Sequence, residues 1–235
     1  MILTVTLNTA LDLTYAVPAL VPHSSHRVNE VTERPGGKGV NVARVLSALG
    51  HDTVVTGFAG GSTGTVLREL LGALPHGPTD ALVTVAGNTR RTLAVVDRSS
   101  GDTTQLNEPG PHIGAGEWAA FLGTFRDLLP RAVAVALCGS LPPGVHVGAY
   151  AELVRLARSA EVPVLLDTGG EPLRRGIAAR PDLVKPNAEE LAQLTGAREP
   201  LRATRDARRR GAHSVVTSLG PDGLLAVTPD GIWRA

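Results

Sequence analysis

The chain has 235 residues, a length that predicts one α/β domain rather than two full domains. Its formal net charge of +1, with 19% charged residues, gives no electrostatic reason to expect nucleic acid or a membrane surface as a partner. The start of the chain has no cationic signal-peptide region, no apolar run is long enough to span a membrane, and Cys138 has no second cysteine to pair with. These features predict a cytoplasmic protein.

Apolar runs of strand length alternate with helical patterns along most of the chain. This alternation predicts an α/β fold, a mostly parallel sheet with helices on both faces. The predicted strands are residues 2–7, 53–58, 132–138, 162–167, 183–185 and 214–218. The predicted helices are residues 39–49, 63–71, 116–128, 149–160, 188–195 and 201–210.

Two segments break this alternation, at residues 12–34 and 82–107. The second holds two strand-like runs on either side of a Ser-Ser-Gly-Asp turn, which predicts antiparallel pairing. We therefore expect a small antiparallel β lid, since such insertions on an α/β body often cover a site. Near the end of the chain, residues 224–228 and 232–235 are predicted as two further strands.

A glycine-rich turn carries one of the two lysines in the chain. The composition gives 23 Lys plus Arg, and the only lysines are Lys38 and Lys185. Lys38 lies in the turn at 35–39, Pro-Gly-Gly-Lys-Gly, directly before a predicted helix. Glycines there let backbone N–H groups approach an anionic or polyhydroxyl ligand at the helix N-terminus. The turn lacks the Walker A spacing, and an ordinary tight turn is the structural alternative.

Seven motifs occur in order along the chain. They are Asn-Thr-Ala-Leu-Asp at 8–12, the turn and helix start at 35–44, Asn-Glu-Pro-Gly-Pro at 107–111, Gly-Ser-Leu-Pro-Pro-Gly at 139–144, Asp-Thr-Gly-Gly at 167–170, Lys-Pro-Asn-Ala-Glu-Glu-Leu at 185–191 and Ser-Leu-Gly at 218–220. With these motifs the whole chain resembles the PfkB (ribokinase-like) carbohydrate kinases. The resemblance is to their phosphosugar branch, which includes 1-phosphofructokinase, tagatose-6-phosphate kinase and the minor 6-phosphofructokinase.

The resemblance implies a ribokinase-like fold and ATP-dependent phosphorylation of a ketohexose monophosphate, foremost fructose 1-phosphate to fructose 1,6-bisphosphate. It also implies a sugar-binding set consisting of Asp12, Gly37, Lys38, Asn41, Arg90, Ser140 and Arg27. Carboxylate and amide groups can hydrogen-bond hydroxyls, and an arginine fork can hold a phosphate group. The structural alternatives are a plain turn serine for Ser140 and a solvated lid residue for Arg27.

The same resemblance implies a nucleotide side. Its ATP-binding residues are Lys185, Asn187, Ser218, Gly220 and Gly223. Asn187 and Glu190 are expected to hold Mg²⁺ through water, a mode of binding common for this ion. For Glu190 the alternative is an i, i+3 hydrogen bond on the helix surface. The expected partners are a phosphosugar and ATP, together with a second copy of the chain that pairs through the β lid.

One expected family motif does not occur in the 235 residues. The Gly-Ala-Gly-Asp motif, with its catalytic aspartate, should follow the strand that begins at Ile232. Its absence predicts a C-terminally truncated kinase with no catalytic residue of its own and poor turnover. The alternative from another class is a noncatalytic phosphosugar-binding module or an inactive fragment. Thr9, where the family usually has proline, is a smaller departure.

Overall fold

Two sheets and seven α-helices make up the computed structural model, which describes every residue from Met1 to Ala235. The strands are β1 (Ile2–Thr6), β2 (Ala10–Val17), β3 (Glu30–Gly36), β4 (Thr53–Gly60), β5 (Thr79–Val85), β6 (Arg90–Asp97), β7 (Thr103–Asn107), β8 (Ala134–Cys138), β9 (Val164–Asp167), β10 (Leu183–Val184), β11 (Ser214–Ser218), β12 (Leu224–Val227) and β13 (Ile232–Arg234). The helices are α1 (Lys38–Ala48), α2 (Gly61–Gly72), α3 (Ala115–Leu128), α4 (Ala149–Ser159), α5 (Gly170–Ala178), α6 (Ala188–Thr195) and α7 (Pro200–Arg209).

The larger sheet has nine strands in the order β13-β12-β11-β10-β9-β8-β1-β4-β5. From β11 to β5 all neighbouring strands are parallel, and β12 and β13 are added as antiparallel outer strands next to β11. The predicted α/β class, with a mostly parallel sheet, is therefore confirmed. The parallel strands end at a common edge, where an open sheet of this kind binds its ligands.

The lid is a second sheet of four strands in the order β3-β2-β6-β7. Its outer pairs, β2 with β3 and β6 with β7, are antiparallel as expected. The central pair, β2 with β6, is parallel. This direction has a simple cause, because β2 and β6 continue from β1 and β5, two parallel strands that leave the main sheet at the same edge.

Two elements were not predicted from the sequence. Residues 82–85, placed in the lid by the sequence pattern, belong to β5, which pairs with β4 in the main sheet. The lid sheet consequently resumes at Arg90 rather than at Leu82. Helix α5 was also missed, although Leu173, Gly176 and Ile177 form its buried face. No helix has the length and apolar composition needed to cross a membrane.

Four aromatic rings pack between the main sheet and α3. Phe121 is completely buried, and its ring centroid lies 5.2 Å from that of Phe58 and 5.3 Å from that of Trp118. Phe125 extends the cluster on the other side at 6.1 Å. Since aromatic residues make up only 3% of the chain, this cluster holds a large share of its aromatic surface.

Replacing Phe121 by alanine should lower the free energy of unfolding by roughly 3–5 kcal/mol, the usual cost of emptying a buried aromatic site. Urea denaturation followed by circular dichroism measures the change. The control is Val133→Ala, at a side chain that is 67% exposed, which should change stability by less than about 0.5 kcal/mol. Equal effects of the two changes would contradict a central packing role for Phe121.

Candidate active site

A cavity of about 730 Å³ lies between the lid and the carboxyl ends of β1, β8 and β9. Six of the seven predicted sugar-binding residues line it, namely Asp12, Gly37, Lys38, Asn41, Arg90 and Ser140. Glu190 also lines it. The motifs that are far apart in the sequence therefore meet in one place, because each follows a strand that ends at the same edge of the sheet.

The lid contributes a carboxylate and a guanidinium group to this cavity. A Cβ atom at Gly36 would collide with the carboxylate of Asp12, so that carboxylate packs directly on the backbone of β3. Burial raises the pKa of the Asp12 carboxyl, and the charge of Arg90 opposes the shift. Arg90 donates from Nε to the carbonyl of Asn8 and from Nη1 to that of Glu108, both at 3.3 Å. The guanidinium keeps further N–H groups for a ligand.

Lys38 enters the cavity from the first residue of α1. The preceding Gly37 has φ of 102°, a left-handed conformation that side chains other than glycine rarely adopt. The Lys38 amine donates to Oδ1 of Asp167 at 2.9 Å. Burial alone would lower the pKa of Lys38, but the hydrogen bond and charge of Asp167 outweigh burial and raise the pKa.

Asp167 at the end of β9 binds both lysines of the chain. Its Oδ2 lies 3.2 Å from the Lys185 amine, while its Oδ1 bonds Lys38. The Asp167 side chain is 6% exposed, whereas the two lysine side chains are 44% and 39% exposed. A buried carboxylate thus joins Lys38, from the predicted sugar-binding set, to Lys185, from the predicted nucleotide side.

The turn after β8 presents Ser140 to the cavity. Beneath it, the fully buried Tyr150 hydroxyl lies 3.0 Å from the Cys138 carbonyl and 3.1 Å from the Gly139 carbonyl. Burial raises the pKa of Tyr150 well above its usual value, so the hydroxyl stays a donor. Burial likewise raises the pKa of the Cys138 thiol to about 12, which leaves that cysteine unreactive, as a small buried side chain at a strand end.

Asn187 and Glu190 form a capping box at the start of α6. Asn187 Oδ1 accepts from the Glu190 N–H at 2.8 Å, and Glu190 Oε2 accepts from the Asn187 N–H at 2.9 Å. The i, i+3 alternative for Glu190 is therefore realised in this structure. A Cβ at Gly169 would approach Glu190 Oε1 to 2.9 Å, so Oε1 lies against the loop after β9 at the cavity wall.

The other predicted nucleotide residues lie beside the cavity rather than in its wall. Asn187 forms a parallel bridge with Ser218, which ends β11. Gly220 and Gly223, with φ of 61° and 84°, shape the turn that follows. Arg27 is not brought to the site, because it lies in the exposed loop between β2 and β3.

Some residues that line the cavity received no role from the sequence. They are Asn8, Thr92, Asn107, Gly139, Leu141, Thr168, Gly169 and Pro172. Six of the eight end a strand or lie within three residues after one, and this position is the signal that could have identified them. No cluster of three or more His, Cys, Asp or Glu side chains is arranged to hold a metal.

Changing Asp167 to asparagine should lower the pKa of Lys38, since burial is then opposed mainly by the smaller effect of the Glu190 charge. The pKa of Lys38 is raised on folding, so its ion pair stabilises the fold fully below the unfolded pKa, about 10.4. This stabilisation is lost as the pH rises through the folded pKa. In the Asp167→Asn variant, this loss of stability at alkaline pH should not occur.

Carbon-13 labelled lysine gives only two side-chain signals in this chain, so an NMR titration measures the pKa directly. Lys185→Met assigns the signals. Glu189→Gln removes a carboxylate outside the cavity wall and serves as the matched control. A Lys38 pKa that is the same in wild type and Asp167→Asn would refute the assigned role of Asp167.

Comparisons with known proteins agree with the sequence motifs. The model of the pfkB family carbohydrate kinases matches residues 4–235. A 1-phosphofructokinase of Rhodobacter capsulatus is 40% identical over 232 residues, which cover 96% of this chain and 73% of that protein.

Solved structures give the same answer. A possible 1-phosphofructokinase from Thermotoga maritima matches with a TM-score of 0.91 at 31% identity, over 100% of this chain and 77% of its own. Phosphofructokinase-2 from Escherichia coli in complex with fructose-6-phosphate matches with a TM-score of 0.89 at 30% identity, over 100% of this chain and 78% of that protein. Ribokinase from Arabidopsis thaliana shares the fold, with a TM-score of 0.74 at 21% identity over 100% of this chain and 77% of that protein. The chain belongs to the pfkB family of carbohydrate kinases.

Proposed function

We propose that this carbohydrate kinase transfers the γ-phosphoryl group of ATP to a ketohexose monophosphate, and that its substrate is fructose 1-phosphate. The observation that carries the proposal is the polar cavity, in which Asp12, Lys38 and Arg90 meet. One anionic and two cationic side chains suit a ligand that has both hydroxyl groups and a phosphate group. The 40% identity to a 1-phosphofructokinase supports the choice of sugar.

On the acceptor side, each polar group has a distinct task. Arg90 uses two of its donors on backbone carbonyls, which fixes the guanidinium and leaves other N–H groups for the sugar phosphate. Asp12 and Asn41 accept from or donate to sugar hydroxyls. The backbone at Gly37 leaves room for the sugar to approach α1 closely.

On the donor side, ATP would lie along the ends of β10 and β11, next to Lys185, Ser218 and the glycine turn. When bound, Mg²⁺ neutralises charge on the transferring phosphate groups. Asn187 Oδ1 and Glu190 Oε2 are used in the capping box, so Glu190 Oε1 is the protein oxygen left for the ion or its waters. This donor set fits an ion that commonly keeps several waters.

Asp167 aligns the two sides by holding a lysine on each. Phosphoryl transfer depends mainly on positioning the two substrates and on stabilising charge. Lys38 uses one amine hydrogen on Asp167, and Lys185 forms an ion pair with the same carboxylate, so both amines keep hydrogens for phosphate oxygens. The residues of this chain would therefore bind the two substrates, orient them and neutralise charge on the phosphate groups.

A noncatalytic phosphosugar-binding module is the second candidate. The specific observation in its favour is that the cavity wall gathers the acceptor residues, whereas Ser218, Gly220 and Gly223 lie outside it. Such a module would bind the sugar phosphate without consuming ATP.

The lid supports a further part of the proposal, a homodimer. One face of the lid carries Asp12, Arg90 and Thr92 toward the cavity. On the other face, Leu13, Tyr15, Leu93 and Leu106 line a pocket of about 410 Å³, with Arg91, Asn107 and Glu108 at the same pocket. A second lid would cover this surface, of which Leu106 is 59% exposed.

An ADP-release assay with ATP, Mg²⁺ and each phosphosugar tests the function. Because the Gly-Ala-Gly-Asp motif does not occur in the 235 residues, we expect slow turnover, and we expect it to be faster on fructose 1-phosphate than on tagatose 6-phosphate or fructose 6-phosphate. Sugar binding by calorimetry without any ADP release would favour the binding module. Absence of both binding and turnover with all three sugars would refute the proposal.

The two lysines provide a matched pair for assigning the two sides. Lys38→Met should weaken fructose 1-phosphate binding by roughly 10- to 100-fold, the loss expected for a hydrogen bond from a charged donor, with little effect on ATP. Lys185→Met should weaken ATP binding and spare the sugar. Because both changes remove one cationic partner of Asp167, any general effect of losing an ion pair should be the same in the two variants. Calorimetry with each ligand measures the difference, and an identical pattern in both variants would contradict the assignment.

A further inference from the structure

Asn8 lies at the point where β1, the loop at 107–111 and the turn after β8 meet. Its side chain is nearly buried, with the residue 5% exposed, and it lines the cavity. Nδ2 donates to the Pro109 carbonyl and to Ser140 Oγ, each at 3.1 Å. The backbone carbonyl of Asn8 accepts from Arg90 Nε at 3.3 Å. This one residue thus touches two of the predicted sugar-binding side chains.

The neighbouring groups determine the orientation of the Asn8 side-chain amide. The Pro109 carbonyl is only an acceptor, so the atom that faces it must be the NH₂ group. The same nitrogen also lies at 3.1 Å from Ser140 Oγ. Since its second hydrogen points to that oxygen, Ser140 accepts from Asn8 and its own hydrogen must point elsewhere.

Ser140 donates no hydrogen bond to another group of the chain, and it lies exposed at the cavity wall. Its O–H is therefore free for a ligand. The bond from Asn8 occupies one of the two lone pairs of Ser140 Oγ and directs the O–H away from Asn8. The Asn8 contact thus favours Ser140 as a donor to the ligand.

The other end of the amide is left without a partner. Asn8 Oδ1 is buried and makes no hydrogen bond. A Cβ at Gly110 would collide with it, so only glycine, with φ of 98°, fits beside this oxygen. Leaving a buried acceptor unpaired is unfavourable, and a residue chosen only for stability would avoid it. The cost is understandable if the position serves the ligand rather than the fold.

We propose that Asn8 is a positioning residue that fixes Ser140 as a hydrogen-bond donor to an oxygen of the bound phosphosugar. The inference rests on the proposed function, because it names what orients one member of the acceptor side. It assigns no contact of Asn8 itself with the reacting atoms.

A double-mutant cycle tests whether Asn8 acts through Ser140. Asn8→Asp keeps the shape of the side chain but replaces the donor by an acceptor, so the Ser140 O–H would turn to Asp rather than to the ligand. We expect Asn8→Asp and Ser140→Ala each to weaken fructose 1-phosphate binding by roughly 5- to 10-fold, with ATP binding unchanged. In a Ser140→Ala background, Asn8→Asp should weaken binding by less than about twofold.

Calorimetry measures the affinities, and thermal unfolding checks that each variant is folded. Asn29→Asp, the same chemical change in the exposed lid loop, should leave both affinities unchanged. An equal loss from Asn8→Asp in both backgrounds would overturn the inference while the proposed function stands. Unchanged sugar binding in Ser140→Ala would overturn it even if Asn8→Asp did not fold. If the wild-type chain bound none of the three phosphosugars, the proposed function and the inference would both fall.

Discussion

The buried carboxylate of Asp167 is the constraint on which the site depends. A carboxylate taken out of water is costly unless cations compensate it. Here the compensation comes from Lys38 and Lys185, at 2.9 and 3.2 Å. Strand β9, which ends at Asp167, lies between β8 and β10 in the sheet. The carboxylate therefore lies at the middle of the edge formed by the carboxyl ends of the strands, and it ties α1 to the segment after β10.

The lid is built so that it can serve two surfaces at once. Alternation along β2 and β6 sends Asp12 and Arg90 to the cavity and sends Leu13 and Leu93 to the opposite face. Because β2 and β6 are parallel and in register, Leu13 and Leu93 lie side by side on the face away from the cavity. Charged residues flank these leucines, since Arg91 and Glu108 line the same pocket. Under the proposed function, the sheet presents charge to a ligand on one face and a mainly apolar patch to a second copy on the other.

The resemblance predicted which side chains would lie together better than the sequence pattern predicted the details of the fold. Asp12, Lys38, Arg90 and Ser140, named from that resemblance, line one cavity. Helix α5 was missed because it begins with Gly-Gly-Glu-Pro, residues that are typical of turns, and only Leu173 and Ile177 mark its buried face.

The other features that could not be predicted from the sequence depend on tertiary contacts. The pairing of both lysines with Asp167 could not be predicted, since it depends on β9 lying between β8 and β10 in the strand order. The role of Asn8 depends on its distance to Pro109 and Ser140, which are more than 100 residues away along the chain. The motif at 187–190 was compatible with a metal site or a helix cap, and geometry shows the cap. Only contacts in three dimensions separate such alternatives.

The scarcity of lysine becomes intelligible at this carboxylate. A guanidinium is a planar fork that tends to use two donors on one carboxylate, as Arg91 does on Glu108. A lysine amine has three hydrogens around one point and can give one to Asp167 while two remain for a ligand. Two lysines on one carboxylate therefore neutralise it and still expose donors in two directions. Among 23 cationic residues, lysine is used only at the two positions that pair with Asp167. Under the proposed function, each amine there binds the protein and a ligand with the same atom.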